Sequence, residues 1–129
     1  MTDPITDMFN QIRNAQAVLH PEVKIPFSDL KYNIAKLLER ENILGEVEKS
    51  IKKEKKAIRI KLKYEGDCPA ISKFKRISKP GRRVYVSVSE IKKVRSGYGI
   101  SVISTPKGLM TGKEARKNKT GGELMFEIW

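Results

Sequence analysis

The stretch of residues 58–64, Ile-Arg-Ile-Lys-Leu-Lys-Tyr, is the clearest secondary-structure signal in this sequence. Its apolar side chains alternate with basic ones, so every second residue would face the same side of a strand. This alternation predicts a strand with one buried face and one solvated face. The preceding segment contains Val47 and Ile51 and then a charged turn at residues 52–56, and it predicts the partner strand.

Two helices and a short strand are predicted before these strands. Asp3 and Pro4 mark the start of the first helix, because Asp caps helix N-termini and Pro is tolerated in the first turn. Its apolar stripe at helical spacing is Ile5, Met8, Phe9, Ile12, Ala15 and Leu19. A strand at residues 22–25 follows. Ser28 opens the second helix, which runs to about residue 41. The predicted core face of that helix is Leu30, Ile34, Leu37 and Leu38.

The second half of the chain is predicted to be mostly β. Strands are expected at residues 71–77, 83–88, 100–103 and 124–129. A type II turn, with Pro80 and Gly81 at its centre, is predicted between the first two, because Gly accepts the positive φ required there.

Short helices complete the second half. Ser89 is predicted to cap one at residues 90–95, and Thr111 with Glu114 forms a predicted capping box for another that ends near residue 117. The predicted fold class is α+β, with two small lobes. Residues 1–65 would form an N-terminal helix/antiparallel-sheet lobe, and residues 66–129 a mostly β lobe with short helices, the boundary lying at the Glu-Gly-Asp turn of residues 65–67.

Basic residues are concentrated in the C-terminal half. The 129 residues contain 27 Lys and Arg against 15 Asp and Glu, a formal net charge of +12. Residues 1–65 hold 13 basic and 10 acidic side chains, whereas residues 66–129 hold 14 and 5. An excess of this size predicts a polyanionic partner and places the main anion-binding face in the second lobe.

The sequence offers little for catalysis. His20 is the only histidine and lies at a predicted helix end, and Cys68 is the only cysteine, interpreted as a buried or half-exposed thiol without a neighbouring base. A single cysteine excludes an intramolecular disulfide and is typical of a reducing compartment. No apolar run reaches the ~18 residues of a membrane span, and residues 1–7 are acidic, unlike a signal peptide. We therefore expect a cytoplasmic protein without catalytic residues, metal or cofactor.

Cations and hydroxyls supply the candidate binding residues. Four cations flank the predicted turn and would meet successive phosphates: Arg76, Lys79, Arg82 and Arg83. Tyr85 would either stack on a base or serve as an ordinary cross-strand aromatic. The segment Ser-Thr-Pro-Lys-Gly at residues 104–108 leaves an apolar strand, and its hydroxyls suit ribose 2′-OH groups and base edges. The alternative for this segment is a Ser/Thr turn with a purely structural role.

Four ordered blocks of the chain carry a resemblance to a known family. They are Asp-Pro-Ile-Thr-Asp-Met at 3–8 with Ile-Arg-Asn-Ala at 12–15, residues 76–81 with Arg83 and Tyr85, residues 99–105 with 107–111 and 114–116, and residues 121–123 with 128–129. In this order and spacing they resemble the small-subunit ribosomal proteins conventionally numbered eight, in their bacterial form.

The resemblance implies a two-lobe, non-catalytic protein that binds the central domain of small-subunit ribosomal RNA and promotes its assembly. Neighbouring small-subunit ribosomal proteins are further implied partners, whereas DNA and membranes are not. In many bacteria such proteins also repress translation of their own operon mRNA. By position, the C-terminal residues implied to face RNA are Tyr85, Ser104, Thr105, Lys107 and Glu123. A second, N-terminal RNA-facing surface is implied at Arg13, Asn14, Ser28 and Lys31.

One residue departs from the family pattern. Pro106 replaces a Ser, which removes a hydroxyl and a backbone N–H but stiffens the loop.

Two other functions stay open. The same fold would also serve a free-standing regulator that binds structured RNA. A metal-dependent nuclease using Asp3, Asp7 or Glu123 is the alternative from another class.

Overall fold

The computed structural model describes residues 3–92 and 99–129. The chain divides into two compact units, Met1–Ile71 and Ser72–Trp129. Unit 1 contains α1 (Pro4–Ala17), β1 (Glu22–Pro26), α2 (Asp29–Arg40), β2 (Val47–Lys52), β3 (Lys55–Lys61), β4 (Tyr64–Glu65) and β5 (Cys68–Pro69). Unit 2 contains β6 (Phe74–Arg76), β7 (Tyr85–Val86), a 3₁₀ turn (Val88–Glu90), β8 (Ile100–Thr105), β9 (Gly108–Thr111), α3 (Gly112–Lys117) and β10 (Gly122–Ile128). Both units mix helices and strands, which confirms the α+β class. No helix within the described ranges is long and apolar enough to span a membrane.

The first helix begins where its capping residue predicts. Asp3 Oδ1 accepts a hydrogen bond of 3.2 Å from the Ile5 N–H, and Pro4 occupies the first turn. The buried residues of α1 are Ile5, Met8, Phe9, Ile12, Ala15 and Gln16. The predicted burial of Leu19 is wrong, because α1 ends at Ala17 and Leu19 is 48% exposed in a turn, with a φ of 56°.

The second helix starts where predicted, but one residue of its predicted core face is exposed. Ser28 Oγ accepts a hydrogen bond of 3.1 Å from the Lys31 N–H and so caps α2. The buried residues are Ile34, Ala35, Leu37 and Leu38. Leu30, predicted to lie in the core, is 42% exposed, and the buried residues of α2 begin one turn later, at Ile34.

The main sheet of unit 1 is antiparallel, in the order β1-β3-β2. Ile58 and Ile60 of the central strand are fully buried, which confirms the alternation read from the sequence. The strand is shorter than predicted, since β3 ends at Lys61 and Tyr64 pairs in the separate β4–β5 ladder. Ile51, near the tip of the β2–β3 hairpin, is 65% exposed.

The sheet of unit 2 is built around its last strand. One edge of β10 pairs with both β6 and β7, its other edge pairs with β8, and β9 follows β8. The two strands predicted at residues 71–77 and 83–88 shorten to three and two residues. They do not form a continuous ladder with each other, because both use their hydrogen-bonding groups on β10 and leave residues 77–84 as a loop.

The turn in this loop is not of the predicted type. Lys79 and Arg82 exchange two backbone hydrogen bonds of 2.9 Å each around Pro80 and Gly81. Gly81 lacks the positive φ that a type II turn needs at this position. The prediction is therefore wrong in turn type.

Of the two caps predicted in unit 2, the one at Ser89 is wrong and the one at Thr111 is confirmed. Ser87, rather than Ser89, precedes the 3₁₀ turn, and its N–H donates to Glu90 Oε1 at 2.8 Å, which lowers the pKa of the Glu90 carboxyl. Residues 93–95 of the predicted helix lie outside the described residues. The capping box of α3 is confirmed, since Thr111 Oγ1 accepts the Glu114 N–H at 3.1 Å.

Candidate nucleic-acid interface

Tyr85, Glu123 and Ser104 form one cross-strand row in unit 2. Glu123 on β10 pairs with Tyr85 of β7 on one side and with Ser104 of β8 on the other. Directly paired residues of antiparallel strands share a face of the sheet, so the three side chains are neighbours. Tyr85 is 69% exposed, and Ser104 is half-buried. The row lines a shallow concavity of about 480 Å³ whose walls also include Pro106 and Gly122.

Two glycines allow the three strands to meet at this row. A Cβ on Gly122 would overlap the carbonyl oxygen of Ser104, and a Cβ on Gly121 would overlap that of Val86. Both obstacles are backbone atoms of paired strands, so they cannot swing aside as a side-chain end would. The close approach of β10 to its neighbours therefore requires Gly at both positions.

The carboxylate of Glu123 binds two points on the 77–84 loop. Its Oε2 accepts a hydrogen bond from Ser78 Oγ and another, 3.2 Å long, from Nη1 of Arg83. Ser78 is fully buried, and its Oγ also accepts the Val84 N–H at 3.2 Å. Charge-assisted bonds of this kind are stronger than neutral ones. Glu123 thus holds the loop in place from the middle of the cross-strand row.

A β-bulge in β10 holds the start of the same loop. The register against β8 shifts between Leu124 and Phe126, which leaves Met125 as the extra residue. The Met125 carbonyl oxygen accepts three hydrogen bonds, from Arg76 Nη1 at 2.6 Å and from the N–H groups of Ile77 and Ser78 at 3.2 Å each. The Met125 carbonyl therefore holds the start of the 77–84 loop against β10.

The four predicted phosphate-binding cations fall into two pairs. Arg76 donates to the Met125 carbonyl and is half-buried, and Arg83 forms an ion pair with Glu123. Lys79 and Arg82 are exposed at the loop tip, and within residues 3–92 and 99–129 neither has an acidic partner. Lys79 and Arg82 are therefore the exposed pair at the loop tip, while Arg76 and Arg83 help to build the loop.

The Ser-Thr-Pro-Lys-Gly segment forms the β8–β9 turn, and its two hydroxyls differ. Thr105 is 8% exposed; its Oγ1 donates to the Gly108 carbonyl at 2.8 Å and accepts the Lys107 N–H at 3.1 Å. These are the hydrogen bonds of a Ser/Thr turn. The half-buried Ser104 hydroxyl has no hydrogen-bond partner in the described part of the chain. Lys107 is exposed at the tip of the turn.

The residues of the N-terminal surface lie in unit 1. Arg13 and Asn14 are exposed on α1. Ser28 and Lys31 are half-buried and are joined by the α2 cap, so the Ser28 hydroxyl is already used inside the protein.

Two of the three carboxylates considered for catalysis, Asp3 and Glu123, have structural partners. Asp3 caps α1 and also accepts a 2.7 Å hydrogen bond from Thr6, and Glu123 binds Ser78 and Arg83. Cys68, interpreted from the sequence as buried or half-exposed, is exposed on β5. No group of three or more potential metal ligands occurs in the described ranges.

Ser78, Met125 and Gly122 shape this surface, yet the sequence did not identify them as site residues. Gly122 had a signal, because two consecutive glycines at the start of a strand are unusual. Ser78 and Met125 had no such signal, since Ser78 binds Glu123, which lies 45 residues away in sequence, and the Met125 carbonyl binds Arg76, which lies 49 residues away.

Comparisons with known proteins point to one family, and the matches cover nearly the whole chain. The family model described as ribosomal protein S8 matches residues 3–129. The small ribosomal subunit protein uS8 of Nitratidesulfovibrio vulgaris (strain DSM 19637 / Miyazaki F) is 48% identical over 129 residues, covering 100% of this chain and 99% of that protein. Its namesakes in Mycoplasmopsis pulmonis and Dictyoglomus thermophilum are 48% and 46% identical, each over 100% of this chain and 98% of their own length. This chain belongs to the ribosomal protein S8 family.

Proposed function

We propose that this protein is a structural constituent of the small ribosomal subunit, where it binds the central domain of small-subunit ribosomal RNA and promotes assembly. Family membership supports the structural role, because the matched relatives are named small ribosomal subunit proteins. We assign the protein no catalytic step. Its place of action is the ribosome in the cytoplasm, beside neighbouring small-subunit proteins.

The cross-strand row of Tyr85, Glu123 and Ser104 is the observation that carries the RNA-binding proposal. It combines an exposed aromatic ring with a hydroxyl that has no hydrogen-bond partner among the described residues, at a shallow concavity. Aromatic rings stack on unpaired bases, and a small hydroxyl reaches 2′-OH groups and base edges. We therefore assign selectivity to Tyr85 and Ser104, and support of the 77–84 loop to Glu123.

Exposed cations around the row supply affinity in this proposal. Lys79 and Arg82 occupy the tip of the 77–84 loop, and Lys107 the tip of the β8–β9 turn. Each phosphate contact releases counterions and raises affinity without reading sequence. The lobe at residues 66–129 would then carry the main RNA-binding face, with Arg13, Asn14, Ser28 and Lys31 as a second surface.

Chemical footprinting of small-subunit ribosomal RNA, with and without the protein, tests the proposal. We expect protection confined to the central domain, with a Tyr85→Ala/Ser104→Ala variant losing that protection at concentrations where the native protein gives it. Uniform protection along the RNA, or none, would contradict specific recognition of the central domain.

A second experiment separates a ribosomal constituent from a free-standing regulator. We expect the protein to sediment with small subunits through a high-salt wash, because a constituent is held by RNA and by neighbouring proteins together. Release in the wash, with retained binding to structured RNA, would favour the regulator. Repression of a reporter fused to the protein's own operon mRNA would show autoregulation, and the same Tyr85→Ala/Ser104→Ala variant should relieve it.

A further inference from the structure

Two lysines of unit 1 converge on one aromatic ring outside the surfaces described above. The Lys49 Nζ lies 4.7 Å from the ring centroid of Phe27, and the Lys56 Nζ lies 5.9 Å from it. Both distances fall within the range of cation–π attraction. The Tyr32 ring lies beside Phe27, with 5.7 Å between centroids.

The strand register explains why these side chains meet. Phe27 follows β1 directly, and its N–H donates to the Lys56 carbonyl at 3.3 Å. Lys49 pairs with the buried Ile58, so it lies on the sheet face that forms the core. Lys56 lies on that same face opposite Ile51, which is 65% exposed. Near the hairpin tip, the core-side face is therefore open and presents two ammonium groups beside apolar surface.

The charges of this lysine pair are not neutralised locally. Among the described residues, neither Lys49 nor Lys56 forms an ion pair. Lys36 shows the contrast, because it lies 5.7 Å from the Tyr32 centroid but also pairs with Glu39 at 3.3 Å. An aromatic face attracts an ammonium group without taking its N–H protons, so the hydrogen-bond donors of Lys49 and Lys56 remain available.

We propose that Lys49 and Lys56, ordered over Phe27, form an anchor for a phosphodiester group of RNA. A phosphate has enough acceptor oxygens for both ammonium groups, and holding two long side chains over a ring lowers the entropy lost on binding. Ile51 and the edge of Phe27 offer apolar contact to the adjoining ribose or base. The inference rests on the proposed function and adds a contact in unit 1 that is separate from the row in unit 2.

Charge-matched double variants of the full chain test the anchor. In Lys49→Gln/Lys56→Gln the pair is removed. In the control, Lys24→Gln/Lys55→Gln, two charges are removed from the opposite face of the same sheet, since Lys24 pairs with Arg59 and Lys55 alternates with Lys56. The probe is a full-length bacterial small-subunit ribosomal RNA transcript, titrated from low to high salt.

We expect the anchor variant to bind roughly tenfold more weakly at 0.1 M salt and to flatten the slope of log K against log salt by about 1.4 to 1.8, as loss of two phosphate contacts predicts. The control should change both quantities by much less. Equal losses in the two variants would overturn the anchor and leave only general charge. A Phe27→Leu variant should give a smaller loss in the same direction, because it keeps apolar volume without the ring's attraction for cations.

The outcomes also separate this inference from the proposed function. If the native protein fails to bind the transcript, the proposed function fails. If Tyr85→Ala/Ser104→Ala weakens binding while the anchor variant behaves like its control, only the anchor is overturned. Circular dichroism of both double variants, expected to match the native spectrum, shows that each is folded.

Discussion

The sheets of the two units differ in where their central strand lies in the sequence. In unit 1 the central strand, β3, directly follows its neighbour β2 along the chain. In unit 2 the central strand, β10, comes last and joins β6, β7 and β8, which precede it by tens of residues. Local alternation was enough to recognise β3, whereas the arrangement around β10 depends on which edges it meets. The cross-strand row belongs to the second kind of sheet.

Removing a core side chain from β10 should have the largest effect. Phe126 is fully buried, so Phe126→Ala should destabilise unit 2 by ~3–5 kcal/mol, whereas Leu37→Ala on α2 should destabilise unit 1 by ~2–5 kcal/mol. Hydrogen exchange, read amide by amide, should show each loss of protection confined to one unit. Loss of protection spread evenly over both units would mean that they unfold together, which would contradict the expectation that each unit is stabilised by its own core.

A methyl group at the strand junction should have the next largest effect. Gly122→Ala should cost ~1–3 kcal/mol, because the Cβ overlaps the Ser104 carbonyl and forces β8 and β10 apart. Gly81→Ala is the matched control, since no heavy atom lies within 4 Å of its Cβ position. Denaturant unfolding measures both changes. A neutral Gly122→Ala would show that the row tolerates a wider strand spacing.

The two hydroxyls of the β8–β9 turn should separate stability from selectivity. Thr105→Ala should cost about 1 kcal/mol of folding free energy, because it removes the turn's hydrogen bonds. Ser104→Ala should leave stability unchanged but weaken cognate RNA binding by about 1 kcal/mol, with binding to unrelated duplex RNA unaffected. Thermal unfolding and RNA titration measure the two quantities. Equal loss of cognate and unrelated RNA binding in Ser104→Ala would remove its role in selectivity.

The smallest effect is expected in the salt dependence. Arg82→Ala should flatten the slope of log K against log salt by about 0.7 to 0.9, the change for one lost phosphate contact. Arg83→Ala should flatten it less, because Glu123 already neutralises that charge. Filter binding across a salt series compares them. Equal slopes for the two variants would show that Arg83 leaves Glu123 to meet RNA.

Local signals predicted several features that depend on neighbours within a few residues, although they missed the turn type at Pro80 and Gly81 and the cap at Ser87. The caps at Asp3, Ser28 and Thr111 were correct, because a cap joins a side chain to an N–H two or three residues ahead. Helix periodicity also identified most of the core of α1. It failed at Leu19, because periodicity does not state where a helix ends.

The candidate site was less predictable than the elements that carry it. Sequence and resemblance named Tyr85, Ser104 and Glu123 separately, but the pairing of β10 brings them into one row. Nothing in the sequence predicted the ion pair between Arg83 and Glu123, since that contact requires the 77–84 loop to fold back on β10.

The sequence by itself determined the α+β class, the capped helices, the alternation of β3, the basic C-terminal half and the family. Each of these follows from residue spacing, composition or ordered blocks, so it is independent of how distant segments meet. Only the tertiary structure decided that Thr105 closes a turn, that Glu123 holds Ser78 and Arg83, and that two lysines share the Phe27 ring. These contacts depend on strand register, and register is selected by packing and hydrogen bonding between segments far apart in the chain.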